Sequence, residues 1–309
     1  MFVRIAAIVS AIAILTPAVA QTPRTPDGKP DFHGNWISPW TTTLERGAEF
    51  RTQAISAEEG ERFRAAFVGR LEQGDPLGAT FVWDLAGPLT IRGEVRSSFI
   101  VDPPDGRLPY TEEGKARRAA FRSFTGADDA EQRMLTERCL MAGSGYAPFL
   151  TIPASNLRQV VQTRDHIVFL TESFGQLRLV PLDGRAGPLI PRGGSSRGRW
   201  EGDTLVIETA GIQKADGFRV APQSTFPVSP ATRIIERFSF IGPDEILYRF
   251  TVEDAVLYAR PWTGESMLRR SKERVFEWAC HEGNYSLVNI LRAERVVEEK
   301  AAGKVGARR

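Results

Sequence analysis

The sequence is short of the residues that most enzyme chemistries need. Its 309 residues include two cysteines, three histidines and four methionines. Forty Lys and Arg face 38 Asp and Glu, a formal net charge of +2, and the two signs are interspersed. A phosphate-binding surface needs a basic excess on one face, so nucleic acid is not an expected partner. The basic end, Lys300 to Arg309, reads as a frayed terminus. There is no Gly-x-Ser-x-Gly elbow, no phosphate-binding glycine loop and no His-Glu-x-x-His helix. No βαβ fingerprint appears either, nicotinamide is not expected outside the cytoplasm, and no cofactor is expected. His33, His166 and His281 lie far apart, whereas metal sites usually bring at least two ligands at short spacing; no metal is expected.

Long apolar runs are equally scarce. The one present, Ile5 to Leu15 broken only by Ser10, follows Arg4 and precedes Pro17 and Ala18-Val19-Ala20. Positive charge, apolar stretch and small residues in that order make a signal peptide, with cleavage expected between Ala20 and Gln21. The run is shorter than the ~20 residues a spanning helix needs. The mature chain of about 290 residues is therefore expected in the periplasm or secreted, with no membrane insertion after cleavage. In an oxidising compartment Cys139 and Cys280 read as a disulfide. It would staple the middle of the chain to its C-terminal region, for up to ~5 kcal/mol by loop entropy. The competing readings are a nucleophilic thiol, which that compartment would oxidise, or two metal ligands.

Apolar content of 42% allows a sizeable core. Residues 21–55, with Pro23, Pro26, Pro30 and Pro39, read as an extended arm. Residues 56–150 read as helices and short strands packed on a main domain. Ser56 and Glu59 form a capping box ahead of Phe63, Ala66, Phe67 and Leu71 at helical spacing. Strands are expected at Ala79–Leu85 and Ser97–Asp102, and helices at Glu112–Phe124 and from Asp128 to about Cys139. From Leu157 the period becomes two. The expected strands are Leu157–Thr163, His166–Ser173, Gln176–Leu182, Thr204–Thr209, Thr232–Ile241, Glu245–Glu253 and Glu273–Ala279. In Glu245–Glu253, Ile246, Tyr248, Phe250 and Val252 share one face, as in a half-buried strand. Tight turns without intervening helices make an antiparallel meander, and seven or eight such strands can close into a barrel. A helix at Asn284–Arg295 closes the barrel domain of residues 151–296, and 297–309 is expected to be a disordered tail.

Three stretches stand out: Ser195-Ser196-Arg197-Gly198-Arg199-Trp200-Glu201-Gly202-Asp203-Thr204-Leu205-Val206-Ile207-Glu208-Thr209, then Glu277 to Tyr285, then Thr25 to Trp36. With Glu137-Arg138-Cys139-Leu140 they resemble a broad family of secreted bacterial proteins without assigned chemistry. The hairpin Gly198-Arg199-Trp200-Glu201-Gly202-Asp203 is similar to one found in lipocalin-like barrels, which implies a fold and not a function. A weaker association, carried by no particular residue, is with periplasmic lyases that release formaldehyde from lignin-derived aromatic dimers.

Among the residues themselves, His281 beside Glu282 is the first candidate for acid or base, fixed by the neighbouring disulfide. The alternative is that the pair merely caps the terminal helix. His33, on the arm, would close over the barrel mouth or pack as a surface histidine on Trp36. His166 reads as a turn residue. Arg199 inward would hold a carboxylate or phenolate; outward, it joins Arg197, Glu201 and Asp203 in a charged hairpin. Only one of Glu253 and Asp254 can face a given pocket, since neighbours on a strand alternate. Tyr258 would stabilise charge on oxygen. Tyr258 and Trp262 would stack on an aromatic ligand or serve as core. Trp36, Trp200, Arg260 and Tyr285 complete the candidate ligand contacts. The sequence thus predicts a mainly β chain: an antiparallel meander closing into a lipocalin-like barrel, with an N-terminal arm and a few peripheral α-helices. Its expected partner is a small apolar, aromatic molecule, either transformed by cofactor-free lyase, hydratase or isomerase chemistry or simply carried. The other alternative is a structural or envelope-interaction protein with a filled core. The oligomeric state is not legible.

Overall fold

The computed structural model describes residues 22–74, 87–122, 129–133, 135, 137–140, 145–150, 157–190, 193–213, 217–221 and 224–303. The expected signal peptide and the strand at Ala79–Leu85 lie outside the described residues.

Alternating inward apolar residues build one large sheet. Its strands are β1 (Gly34–Ile37), β5 (Ile100–Asp102), β6 (Arg158–Gln162), β7 (His166–Thr171), β8 (Gln176–Pro181), β9 (Ser195–Glu201), β10 (Thr204–Ala210), β13 (Arg233–Gly242), β14 (Glu245–Glu253) and β15 (Trp262–Ser271). The strand order is β8-β7-β6-β1-β15-β14-β13-β10-β9, with β5 paired to β15, and every pairing is antiparallel. The end strands β8 and β9 almost meet, because glycines there let backbones touch. A Cβ on Gly198 would lie 2.8 Å from Leu182 Cδ2, and one on Gly187 would lie 2.7 Å from Leu179 O. Gly187 N donates to Ser196 O at 2.8 Å across the seam. The result is a nearly closed nine-strand barrel, compatible with the lipocalin-like architecture.

The expected arm does more than dock. Its segment β1 is hydrogen-bonded between β15 and β6, with Trp36 opposite both Arg270 and Arg158. Just before it, Phe32 plugs one barrel end, with ring centroids 4.9 Å from Phe240 and 5.9 Å from Trp200. The hairpin of β11 (Phe218–Ala221) and β12 (Ser224–Pro227) covers the opposite end, where Phe226 sits 5.2 Å from Trp262.

Three α-helices are present among the described residues, α1 (Ala57–Gly74), α2 (Glu112–Arg122) and α3 (Tyr285–Ala301). The capping box of α1 forms: Glu59 N donates to Ser56 Oγ at 3.2 Å, and Ser56 N donates to Glu59 Oε2 at 2.8 Å. A small sheet of β2 (Ala54–Ile55), β4 (Glu94–Arg96) and β3 (Thr90–Ile91) flanks α1. The disulfide joins Cys139 to Cys280 with their Cα atoms 5.7 Å apart. None of the described helices is long and apolar enough to cross a membrane.

Two expectations are corrected. No helix runs from Asp128 to Cys139; the described residues there hold one 3-10 turn, Ala130–Gln132, followed by turns. Cys139 itself has φ +53°, which an α-helical ladder cannot accommodate. Glu273–Ala279 is not a strand, because the β1 ladder that holds β15 ends at Asn35↔Ser271. The strand sits earlier, at β15, where inward Gly264 and Ser266 break the apolar alternation. A Cβ on Gly264 would lie 2.4 Å from Phe250 Cζ, so that glycine makes room for the ring.

Candidate functional site

Inside the barrel, four strands place a polar side chain in phase with their apolar inward residues. On β6, Arg158 precedes Val160; on β8, Arg178 precedes Val180. On β13, Glu236 lies between Ile234 and Phe238, and on β14 Tyr248 lies between Ile246 and Phe250. All of these side chains are buried.

The four polar groups form one cluster. Arg178 forks onto Glu236, with Nη1 donating to Oε1 at 3.1 Å and Nη2 to Oε2. Its other donors go to Ser196 Oγ at 2.9 Å and Thr209 Oγ1 at 2.7 Å. Tyr248 Oη donates to Glu236 Oε1 at 2.8 Å. Arg158 Nη1 donates to Ser38 Oγ at 3.2 Å. Such a planar fork on a carboxylate is a bidentate, charge-assisted pair, and its burial makes every member depend on the others. Burial, with Glu236 alongside, holds the Tyr248 phenol well above its ordinary pKa, so it keeps its proton. Burial pushes the Arg158 guanidinium down to about 10, opposed by Tyr248 and Glu236, and it stays charged at neutral pH.

A loop segment, residues 145–150, is buried at every position over this cluster. It carries Phe149 into the barrel. That ring lies 4.9 Å from Phe169, 6.1 Å from Tyr248 and 6.2 Å from Phe238. The guanidinium carbons of Arg158 and Arg178 lie 4.7 and 5.2 Å from its centroid. Phe149 N donates to Tyr248 Oη at 2.8 Å, and Arg219 Nε on β11 donates to Ala147 O at 3.0 Å. Three buried arginines, Arg158, Arg178 and Arg219, thus surround residues 147–149, and Glu236 answers Arg178. Among the described residues the other buried acid is Asp254, which is taken by Ser229 and Thr232 at 2.5 and 2.6 Å in a separate turn.

The candidates read from the sequence are scattered. His281, Glu282, His33 and Tyr285 are exposed. Arg199 points outward and pairs with Glu201 at 2.6 Å. Glu253 pairs with Arg233 at 3.1 Å on the outer face, and Arg260 pairs with Asp102. Trp200 covers Phe32 at the arm end. Trp36, Tyr258 and Trp262 are buried, but Tyr258 spends its hydroxyl on Pro227 O at 2.7 Å. Trp262 packs on Phe226, Phe250 and Tyr258. None of these reaches the Arg178–Glu236–Tyr248 cluster. The signal for that cluster was present: Arg158, Arg178 and Glu236 keep strict step with inward Val160, Val180 and Phe238.

Two surface clefts of about 620 and 610 Å3 lie elsewhere, one around Arg46, Arg62, Phe63 and Arg118 and one around Trp40, Arg64 and Arg269. Both are open and charged, and neither touches the barrel interior. Among the described residues no group of three or more His, Cys, Asp or Glu is placed to hold a metal ion. No known family model, curated protein or solved structure matches this chain.

Proposed function

We propose that the barrel encloses a small aromatic molecule in the space that Phe149 now fills. The observation that carries this is the origin of that ring. Its neighbours Phe169, Phe238 and Tyr248 stand on strands, whereas Phe149 is delivered by a loop segment, and cation–π contacts with Arg158 and Arg178 would serve any aromatic ring in its place. The N-terminal charge-apolar-small pattern and the disulfide support export as the setting.

The catalytic form of the proposal is a cofactor-free lyase, for example one releasing formaldehyde from lignin-derived aromatic dimers. Acid and base would then be Tyr248 and Glu236, already joined by a hydrogen bond out of contact with bulk water. His281 and Glu282 remain exposed beside the disulfide, so a role there requires a substrate bound outside the barrel. A second reading has its own observation. The interior is occupied by side chains, which suits a structural protein with a filled core.

Titration of Phe149→Ala with benzyl alcohol, followed by the fluorescence of the six tryptophans, separates the two. Enclosure gives saturable binding that is at least about tenfold tighter in the variant than in the parent. The structural reading gives no saturable binding in either, and that result would sink the enclosure proposal.

A further inference from the structure

We propose that the cleft of about 620 Å3 on the flank of the barrel binds a small organic monoanion, a carboxylate carried on a ring-sized apolar body. The site is separate from the barrel interior and does not depend on the enclosure reading. Parts of the chain that lie far apart in sequence build it. The loop of residues 43–50 supplies Arg46 and Phe50, and α1 supplies Arg62 and Phe63. The turn after β5 supplies Arg107, and α2 supplies Arg118.

Charge sets the sign of the ligand. Among the described residues, four arginines and three glutamates line the cleft. Two of the glutamates are already engaged. Glu45 pairs with Arg118 at 3.1 Å and accepts from Leu108 N at 3.0 Å. Glu59 closes the capping box of α1, accepting from Ser56 N and Ser56 Oγ at 2.8 Å each. Glu49 is exposed. Among the arginines, Arg46 stands apart. It is only 7% exposed, and its guanidinium donates to neutral oxygens, Nη1 to Arg51 O at 3.4 Å and Nη2 to Gln53 Oε1 at 3.0 Å. Its Nε is buried without a hydrogen-bond partner. The residue facing that nitrogen is a glycine, Gly106, where a Cβ would lie 3.2 Å from Nε. A guanidinium carries five donors in a planar fork, and a buried one with a donor to spare is matched by a carboxylate. Arg62 and Arg107 are exposed, where they draw an anion towards the cleft. Four positive charges against three negative ones leave room for one more negative charge, which favours a monoanion over a dianion.

The apolar body follows from Phe50 and Phe63. Their rings meet edge to face at 5.8 Å, and both are half-buried. A flat apolar group laid on them takes their remaining surface out of water. The volume lies within the range of about 300–1,000 Å3 that encloses small organic ligands.

Calorimetric titration of the full chain tests this. Phenylacetate is compared with 2-phenylethanol, which keeps the ring without the charge, and with acetate, which keeps the charge without the ring. Phenylacetate is expected to bind saturably and at least about tenfold more tightly than either. Arg46→Met should weaken it about tenfold or more. A buried substitution can disturb the fold, so the exposed Arg62→Gln is the second arm. It should weaken phenylacetate about threefold or more with the melting temperature unchanged. No saturable binding of phenylacetate overturns the site. Equal binding of the alcohol removes the need for an anion, and equal binding of acetate removes the role of the ring; either overturns the proposal. Phenyl phosphate at least about tenfold tighter than phenylacetate would replace the monoanion by a dianion and overturn it too. Phenylacetate affinity unchanged in both arginine variants would put the ligand elsewhere and reject this cleft.

Discussion

At the scale of single residues, the most consequential is Glu236. It answers Arg178 in the dry interior, and a buried pair tolerates joint replacement far better than the loss of one member. Glu236→Ala should destabilise the fold by about 3–5 kcal/mol in urea unfolding, because Arg178 is then buried without its counter-ion. Arg178→Met combined with Glu236→Leu should recover most of that loss, and a double variant as unstable as the single one would refute this account. Gly264→Ala should cost about 1–3 kcal/mol by overpacking against Phe250, read in the same way. These residues also show why the site was hard to see beforehand. A charged residue in step with apolar ones contradicts the usual inside-outside rule, so the alternation alone does not mark it as part of a site. Arg199 and Glu253 proved to be partners of surface charges, and His281 lies in the open.

At the scale of elements, the alternation from Leu157 onward was legible because β14 carries Ile246, Tyr248, Phe250 and Val252 at every second position, and β7, β10 and β13 carry the alternating pairs Ile167 and Phe169, Leu205 and Ile207, and Phe238 and Phe240. The strand β15 was missed because Gly264 and Ser266 stand where a bulky residue was expected, and their reason lies across the sheet in Phe250 and Tyr248. The strand β1 was hidden in a proline-rich stretch, since its partners are more than a hundred residues away. The helix α3 invites a different test. It has no buried residue, and it is held by the disulfide, by Asn284 Nδ2 on Glu137 O at 2.7 Å and by Arg295 on Asp129 at 2.7 Å. Reduction of Cys139–Cys280, or Cys280→Ser, should therefore loosen α3 well before the barrel. Protease cutting within 272–301, with barrel tryptophan fluorescence unchanged, would show this. Simultaneous loss of both signals would contradict it.

At the scale of the whole molecule, the outer face of the barrel is laced by charge. Arg197, Glu208, Arg233 and Glu253 form a chain across β9, β10, β13 and β14, with contacts of 2.7, 2.8 and 3.1 Å. The hydrogen bond from Arg233 comes first, ahead of that from Arg197, in drawing the Glu208 carboxyl from 4.5 down to about 2. A carboxyl held lower in the folded state than in the unfolded one stabilises above its unfolded value and loses that contribution as pH falls towards its folded one. The urea midpoint of the parent should exceed that of Glu208→Gln near neutral pH, and the two should converge by about pH 2. Exposed pairs are worth only ~0.2–1 kcal/mol each, and added salt should shrink the gap. A gap that grows on acidification would reverse the sign and refute the argument.

The seating of β1 between β6 and β15 sets the order in which the molecule can be completed. This strand comes before every other strand of the sheet in the chain, yet one of its two neighbours, β15, comes after all of them. The wall must stay open along one line until β15 has been made, and the late strand then locks against the earliest one of the sheet. A chain shortened at either end would present two unpaired strand margins facing each other across the gap, an invitation for a second chain to lend the missing piece.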